Sequence, residues 1–484
     1  MVKSPIPKKK VAKESLVYER KSGYESLSPA DSKRMEEVSK DYLGFLGECK
    51  TEREAHDEAV KRLEAAGFRD LEALPEGARL SAGDKVYRGG AGKTVIAFVI
   101  GRKPLDAGLH ILGAHIDSPR LDVKQNPLYE SGEMALLDTH YYGGIKKYQW
   151  VSLPLALHGV FVRPDGKKIS LTIGEAPGDP VFTITDLLPH LAQDQMKKTM
   201  SEAVEGEGLD VLVGSVPSKD KKSKEKIKRH VLELLKQRYG VVEADFVSAE
   251  LEFVPAGPPR EAGLDRSMIL GYGHDDRSCA FGALRALLDL GGTPEHTACA
   301  LLADKEEIGS YGSTGMESSF LENAVAELFN LTEGGYDGLK LRRALERSWA
   351  LSADVNALHD PLYPAVSERK NAANLNQGVI LTKYTGSRGK SGASDAHAEF
   401  VAQVRRIFDG AGALWQAAEL GKVDQGGGGT IAFLMARYGM SVLDCGVGVL
   451  SMHAPWELIG KLDLYMAYKG YRAFLLDGRR SKTK

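Results

Sequence analysis

Apolar residues follow two different spacings along the chain, and each spacing predicts a type of element. Recurrence every three or four positions predicts a helix from Ser28-Pro29, and capping-box spacing at Thr51 predicts a second helix behind it. Apolar runs at residues 94–100 and 109–114 are typical of buried strands, and residues 441–450 are predicted to form the last strand. Helices that alternate with short buried strands indicate an α/β fold.

The pattern changes at about residue 125 and changes back at about residue 262. Over this stretch, short strand-like pieces separated by Gly, Pro and Asp turns replace the helical spacing. We therefore predict an inserted, mainly β domain at residues 125–262, between the two parts of a larger α/β domain at residues 28–124 and 263–484. Within the insertion, the lysine-rich stretch 218–230 is predicted to be a solvated loop that leads into a helix at residues 231–237.

Composition and charge exclude several classes of protein. The 484 residues carry a formal net charge of -2, so nothing indicates a nucleic-acid partner or an acidic membrane surface. Residues 1–27 are polar and lysine-rich without the apolar core of a signal peptide, and we expect them to form a flexible arm. The four cysteines are widely spaced without a CxxC pair. These features together predict a cytoplasmic protein without a membrane segment.

Side chains with metal-binding or acid–base chemistry lie at the ends of the predicted strands or in loops beyond them. They are His115, Asp275, the adjacent pair Glu306-Glu307, Asp354 and His453. Loops beyond the carboxyl ends of strands can direct such side chains to one point. Imidazoles and carboxylates are the donors that a pair of zinc-like ions uses, and a shared carboxylate holds two such ions ~3.5–4 Å apart. One glutamate of the adjacent pair would then bind metal while the other accepts a proton from water.

Each of these residues also has an interpretation without catalysis. His115 is explained equally by a buried core histidine, and Asp275 or Asp276 by the N-cap of the helix that follows. Asp354 would serve in a turn, and His453 would end a strand. The coincidence of five such positions at strand ends favours a metal site over five separate structural roles.

Other enzyme classes fit the motifs less well. Gly389-Lys390-Ser391 resembles the end of a phosphate-binding loop, but Tyr384 stands where that loop requires its first glycine. A serine-hydrolase elbow would need glycine at Ala393. A catalytically idle oligomeric shell or binding protein, or a related metal-dependent amidohydrolase, remains the alternative to a peptidase.

The ordered motifs resemble those of one known family. They are His115-Ile116-Asp117-Ser118-Pro119, Asp275-Asp276-Arg277, Glu306-Glu307-Ile308-Gly309-Ser310, Ser352-Ala353-Asp354 and Met452-His453. The chain resembles the aspartyl aminopeptidase-like dinuclear zinc aminopeptidases from about residue 30 to residue 475. The resemblance implies a zinc-peptidase-like three-layer α/β sandwich, with the inserted β domain used for dimerisation and a dodecamer built from dimers.

The resemblance also implies residue roles. The implied metal ligands are His115, Asp275, Glu307, Asp354 and His453, with Asp275 shared between two divalent ions. These ions would be Zn2+, with Co2+ or Mn2+ as alternatives that suit the same donors. Glu306 would be the general base, and Asp117 would hold the imidazole of His115. The implied reaction is removal of the N-terminal residue from peptides.

Substrate-binding roles follow from the same resemblance. The implied residues are Lys383, His190, His359 and Gly428, of which His190 would reach a neighbouring subunit. After Asp354, however, the chain reads Asn356-Ala357-Leu358-His359 where aspartyl aminopeptidases usually carry two histidines. An acidic N-terminal residue is therefore one option for the substrate and not a requirement.

Overall fold

The computed structural model describes residues 16–18, 20–220, 222–385 and 388–478. Its helices are α1 (Pro29–Glu48), α2 (Glu52–Ala65), α3 (Lys226–Tyr239), α4 (His274–Leu288), α5 (Phe320–Glu333), α6 (Gly338–Glu346), α7 (Ala398–Ala411), α8 (Ala432–Ala436) and α9 (Lys461–Leu476). None of these helices combines the length and the apolar character needed to cross a membrane.

The strands of the described residues form three sheets. They are β1 (Arg69–Asp70), β2 (Lys85–Gly90), β3 (Thr94–Val99), β4 (His110–His115), β5 (Arg120–Ser131), β6 (Met134–Tyr142), β7 (Leu155–Val162), β8 (Lys168–Ile173), β9 (Val211–Gly214), β10 (Ala249–Pro255), β11 (Arg260–Ala262), β12 (Met268–Gly271), β13 (Ala298–Ala303), β14 (Trp349–Ser352), β15 (Asn356–Ala357), β16 (Val379–Thr382), β17 (Trp415–Ala417), β18 (Ser441–Gly446), β19 (Gly448–Leu450) and β20 (Glu457–Gly460).

The largest sheet is covered by helices on both faces. Its strand order is β1-β2-β3-β13-β4-β14-β18-β16-β17. One apolar core packs α1, α2, α4, α7 and α9 against the sheet, and a second core packs α5, α6 and α8. Helices on either side of a mostly buried sheet make three layers, which confirms the predicted α/β sandwich.

A second sheet has its own apolar core. Its order is β8-β7-β10-β5-β6-β9, so its strands come from one continuous stretch of the chain, and α3 packs beside it. Ion pairs connect this sheet to the junction between α1 and α2. Lys50 Nζ lies 2.6 Å from Glu175 Oε1, and His158 lies between Glu54 Oε1 (2.7 Å from Nδ1) and Glu175 Oε1 (3.1 Å from Nε2).

Two predicted boundaries were wrong for reasons that involve distant parts of the chain. The lysine-rich stretch predicted as a loop already contains the first turn of α3, which begins at Lys226. The Glu130 carboxylate on β5 accepts the amide N–H groups of Ile227 and Lys228 at 2.8 and 3.1 Å and so stabilises that helix end. The stretch 441–450, read as one strand, divides at Val447 into β18 in the largest sheet and β19 in a third sheet, ordered β11-β12-β20-β19-β15.

Part of the predicted N-terminal arm packs against the end of the largest sheet. Residues 1–15 and Glu19 lie outside the described residues. The Arg20 guanidinium donates hydrogen bonds to the carbonyl oxygens of Lys370, Ala372 and Ala417, and buried Gly23 donates its N–H to the Asn376 carbonyl at 2.8 Å. These contacts hold residues 20–23 beside β17.

Candidate active site

Three neighbouring parallel strands carry candidate ligands to one edge of the largest sheet. β4 ends at His115 and is paired in parallel with β13 and with β14. Glu306 and Glu307 follow β13 after a turn in which Lys305 adopts a left-handed conformation (φ 67°). Asp354 lies two residues past the end of β14. The sheet topology therefore gathers side chains that are up to 239 positions apart in sequence.

Asp275 lies between the two imidazoles. Its Oδ1 is 3.1 Å from His115 Nε2, and its Oδ2 is 3.2 Å from His453 Nε2. The same His453 nitrogen is 3.5 Å from Glu307 Oε2. Each carboxylate oxygen of Asp275 thus faces a different histidine, which is the arrangement needed of a carboxylate shared by two cations.

Two sets of three residues bring ligand atoms within 4.8 Å of one another. One set is His115, Asp275 and Glu307, and the other is His115, Asp276 and Asp354. Among the described residues, Glu307 Oε1 and Asp276 Oδ1 are buried and accept no hydrogen bond. Imidazole nitrogens with several carboxylate oxygens, some of them unsatisfied, fit zinc in both donor type and charge.

The two aspartates at positions 275 and 276 do not cap α4. Gly273 stands at the N-cap position, and both aspartates have non-helical backbone angles. Asp276 Oδ2 instead accepts the N–H of His115 at 3.2 Å, and the Asp275 N–H donates to Glu457 Oε2 at 3.0 Å. The N-cap interpretation of these residues was wrong, because long-range contacts replace the local cap.

Asp117 connects the first imidazole to the glutamate pair. Its Oδ1 lies 3.2 Å from His115 Nδ1 and accepts the N–H of Glu306 at 3.1 Å, while its Oδ2 accepts the N–H of Glu307 at 3.1 Å. One buried carboxylate therefore sets the ring orientation of His115 and the backbone positions of both glutamates.

A short segment after β6, Tyr142-Gly143-Gly144, touches the site from the second sheet. The Tyr142 hydroxyl donates to Asp117 Oδ2 at 2.8 Å, and the Gly144 carbonyl lies 2.9 Å from His453 Nδ1. Gly143 has φ 74°, and a Cβ there would lie 3.3 Å from the Glu307 Cβ. The segment therefore contacts His453 directly at Nδ1 and supports His115 only through Asp117.

Glu457 braces the site from the other side. Its Oε1 accepts the N–H of His453 at 2.7 Å, and its Oε2 accepts the N–H of Asp275. Burial, together with the negative charge of Asp275, raises the pKa of this carboxyl to about 8. The Glu457 side chain thus holds the backbone of both His453 and Asp275 by hydrogen bonds.

The electrostatics of the cluster are dominated by buried carboxylates. Burial raises the pKa of Glu306 to about 7, and burial with the charge of Asp275 raises that of Glu307 well above its usual value. Burial by itself would raise the pKa of Asp275, but hydrogen bonds from His115 and His453 lower it below its usual value. Cations bound between these groups would offset the repulsion between Glu307 and Asp275.

The site opens into a cavity of about 600 Å3. Glu306, Glu307 and Asp354 line it, and so does Gly428, which belongs to a run of four glycines at residues 426–429. His190, in contrast, is exposed in the loop after β8, and this chain does not bring it to the cavity. Its predicted role requires a neighbouring subunit.

Two other predicted substrate-binding residues lie outside the cavity lining. The Lys383 ammonium group is 2.8 Å from Asp395 Oδ1, and Lys383 itself does not line the cavity, although the preceding Thr382 does. His359 is half-buried, and its N–H donates to the Ala373 carbonyl. Gly386 and Ser387, which follow Lys383 by three and four positions, lie outside the described residues.

Residues 45–475 match the family model described as aminopeptidase I zinc metalloprotease (M18). The chain is 52% identical over 461 residues to a probable M18 family aminopeptidase 1 of Clostridium acetobutylicum, which covers 95% of this chain and 99% of the relative. The chain belongs to the M18 aminopeptidase family. It is therefore a zinc-metalloprotease-type hydrolase of peptide bonds, and the sequence resemblance is confirmed.

Solved structures agree with this membership. An M18 aminopeptidase of Thermotoga maritima superposes with a TM-score of 0.90 at 45% identity, covering 95% of this chain and 99% of that one. The S. cerevisiae mApe1 dodecamer shares the fold with a TM-score of 0.74 at 22% identity, covering 91% of this chain and 97% of that one.

Several residues at this M18 site were not assigned a role from the sequence. They are Tyr142, Gly144, Glu457, Asp276 and Asp444. In the sequence, the pair Gly143-Gly144 indicates a turn, and Glu457 follows His453 by four positions. The hydrogen-bonding partners of these residues lie 4 to 309 positions away in the sequence. Most of these hydrogen bonds depend on tertiary contacts that no local pattern indicates.

Proposed function

We propose that this M18 aminopeptidase uses two zinc ions to remove the N-terminal residue of peptides. One ion would bind His115, Asp275 and Asp354, and the other would bind Asp275, Glu307 and His453. The observation that supports this assignment most directly is Asp275, whose two oxygens face the two imidazoles at 3.1 and 3.2 Å. Asp276, whose Oδ1 has no partner among the described residues, would support the first ion.

Zinc bound in this site supplies Lewis acidity, which polarises a carbonyl group and acidifies water. The residues of the chain orient the imidazoles and transfer the proton. The Asp117 carboxylate and the Gly144 carbonyl lie beside Nδ1 of His115 and of His453, respectively, and would accept an N–H from each, which would leave Nε2 of each ring to bind metal.

Glu306 is the general base of the proposed reaction. Burial raises its pKa to about 7, close to the value that suits a group which takes and returns a proton near neutral pH. It would accept a proton from the attacking water and deliver it to the leaving amine. Glu306 is half-buried and lines the cavity, so it is accessible to both.

Metal depletion with two matched substrates tests the function. Leucine p-nitroanilide and its N-acetyl derivative differ only in the free amino group. We expect chelation to abolish hydrolysis of the first, zinc to restore it, and the acetylated substrate to resist cleavage throughout. Cleavage of the acetylated substrate at a similar rate would contradict an aminopeptidase, and full activity after verified metal removal would contradict the metal site.

We further infer that the chain is a cytoplasmic homo-oligomer, a dodecamer built from dimers through the second sheet. Exposed apolar side chains after β8 support a subunit contact: Leu187, Leu188, Leu191 and Met196 are 51–73% exposed. Sedimentation of the purified chain tests this assembly, and a stable monomer at micromolar concentration would contradict it.

A further inference from the structure

Asp444 lines the active-site cavity and lies further from the carboxyl ends of the strands than the proposed ligands. It is in register with Ser352 on β14 and with Thr382 on β16, so the three side chains share one face. Asp354 is two residues beyond Ser352. With strands ~4.8 Å apart and ~3.3 Å per residue, the Cα atoms of Asp444 and Asp354 are separated by roughly 8 Å.

The Asp444 carboxylate is buried and incompletely satisfied. It is 3% exposed, and its Oδ1 accepts the Thr430 hydroxyl at 2.7 Å. Its Oδ2 has no hydrogen-bond partner among the residues that the structure describes. The Ser352 hydroxyl, in the facing register position, lowers the pKa of this carboxyl but forms no hydrogen bond of ordinary length and angle with it.

A second unsatisfied acceptor lines the same cavity. The Asn356 amide nitrogen donates to the Thr382 hydroxyl at 2.7 Å, which leaves the Asn356 Oδ1 buried without a partner among the described residues. Buried polar atoms are normally paired, because an unpaired one is costly. Two acceptors without donors at one cavity indicate a ligand that brings the donors.

The charge of the cavity defines the ligand further. None of the described residues that line it is a lysine or an arginine. Zinc ions would compensate their own carboxylate ligands, whereas no cationic side chain of the described residues pairs with Asp444. Burial raises the pKa of Asp444 to about 6, although the hydroxyl groups of Thr430 and Ser352 lower it. At neutral pH this group remains largely ionised, and a positive charge is its natural partner.

We propose that Asp444 and Asn356 form the end of a subsite for a basic side chain of the substrate's N-terminal residue. The inference rests on the proposed function, because it assumes that the scissile bond lies at Asp275 and Asp354. Leu420 and Phe433 also line the cavity and would contact the aliphatic part of lysine or arginine. Lys383, which would favour an acidic side chain, does not line the cavity and is paired with Asp395.

A pair of substrates that differ by one ammonium group tests the subsite. Lysine and norleucine p-nitroanilides have side chains of nearly equal length, and glutamate p-nitroanilide carries the opposite charge. The zinc-loaded enzyme and its Asp444→Asn variant are compared by kcat/KM on all three. Asparagine keeps one acceptor oxygen for Thr430, removes the negative charge and replaces the other oxygen with an NH2 donor. Asp409→Asn, at an exposed carboxylate of α7 outside the cavity, is the control for loss of a charge.

We expect the wild type and Asp409→Asn to prefer lysine over norleucine by about tenfold or more, and glutamate to be the poorest substrate. In Asp444→Asn, the lysine preference should disappear while the norleucine value changes less than about threefold. An equal loss on lysine and norleucine, or a wild-type preference for glutamate, would overturn the subsite. Failure to cleave any of the three would contradict the proposed function itself and remove the basis of the subsite.

Discussion

At the residue scale, the adjacent glutamates differ in what surrounds them. Glu307 Oε2 lies 3.5 Å from His453 Nε2, and the other Glu307 oxygen is buried without a partner among the described residues. Glu306 lines the cavity, and no imidazole nitrogen of the described residues forms an ion pair with it. These different surroundings support the proposal that Glu307 is a metal ligand and Glu306 the proton carrier.

The Glu306→Gln variant should separate these roles. Glutamine keeps the size of the side chain and cannot accept the proton, so we expect kcat to fall by about 10²–10⁴. Zinc content, measured by inductively coupled plasma mass spectrometry, should stay at the wild-type level. A variant with near-normal turnover would show that the base is elsewhere, and loss of zinc would make Glu306 a ligand.

Residues at strand ends could be predicted from the sequence, because a polar residue after an apolar run is a local signal. His115, Glu306 and Asp354 all follow that rule. Tyr142 and Asp444 could not be assigned in this way, because their roles depend on which strands become neighbours. Asp444 lies inside β18, where a single polar residue in an apolar strand carries no indication of what it faces.

At the element scale, the segment Tyr142-Gly143-Gly144 links the second sheet to the active site. β6 belongs to that sheet, and its last residue, Tyr142, contacts Asp117 directly. Arg120 of β5 lies over the Tyr142 ring, 3.9 Å from its centroid, and fixes its position. The second sheet is therefore a structural part of the active site, in addition to any role in assembly.

The Tyr142→Phe variant tests this link. Loss of the hydroxyl removes one of the hydrogen bonds that orient Asp117, and we expect a loss of about 10–100-fold in zinc affinity or kcat. Zinc affinity is measured by competition with a chelator, which does not depend on activity. Tyr141→Phe is the matched control, because Tyr141 is 40% exposed on the other face of β6. Equal zinc affinity and equal kcat in the two variants would contradict a positioning role for Tyr142.

Element boundaries were predictable only where local chemistry sets them. The capping box at Thr51 is present in the structure, with Glu54 accepting the N–H of Thr51 at 3.0 Å. The start of α3 depends instead on Glu130, about a hundred residues earlier, so the lysine run before it gave no correct indication of the boundary. Gly446, just before the split at Val447, lies against the backbone of Asp354 beyond the end of β14, since a Cβ at Gly446 would lie 1.7 Å from the Asp354 carbonyl oxygen. No local pattern in the sequence indicates this contact.

At the scale of the whole molecule, the contact between the second sheet and the junction of α1 and α2 contains titratable groups. Burial lowers the pKa of His158, but hydrogen bonds with Glu175 and Glu54 outweigh it and raise the pKa above its usual value. Burial raises the pKa of Glu54 and of Glu175, but the bonds to His158, and for Glu175 those to Lys50, outweigh it and lower both values.

These three pKa shifts determine how the stabilisation of the fold by this contact depends on pH. The stabilising contribution of His158 is complete below its unfolded pKa of ~6.5 and is lost as pH rises through its higher folded pKa. The contribution of the glutamates is complete above ~4.5 and is lost as pH falls through their lower folded values. The contact should therefore stabilise the fold most between about pH 4.5 and 6.5.

The His158→Gln variant should be destabilised by about 1–2 kcal/mol at pH 6, because Glu54 and Glu175 lose a charged hydrogen-bond donor in a mostly buried position. The difference from wild type, measured as the urea midpoint at fixed zinc concentration, should shrink as pH rises toward 10. His140→Gln, at an exposed histidine of β6, is the control and should show neither effect. A His158 difference that is constant from pH 6 to pH 10 would contradict the charged contact.

The number of zinc ions per chain tests the shared-carboxylate site most directly. Purified wild-type protein and the His453→Ala variant are dialysed against equal free zinc and measured by inductively coupled plasma mass spectrometry. We predict about two zinc ions per wild-type chain and about one in the variant, since His453 belongs to only one of the two proposed ligand sets. One ion per wild-type chain, or two in the His453→Ala variant, would contradict a dinuclear site bridged by Asp275.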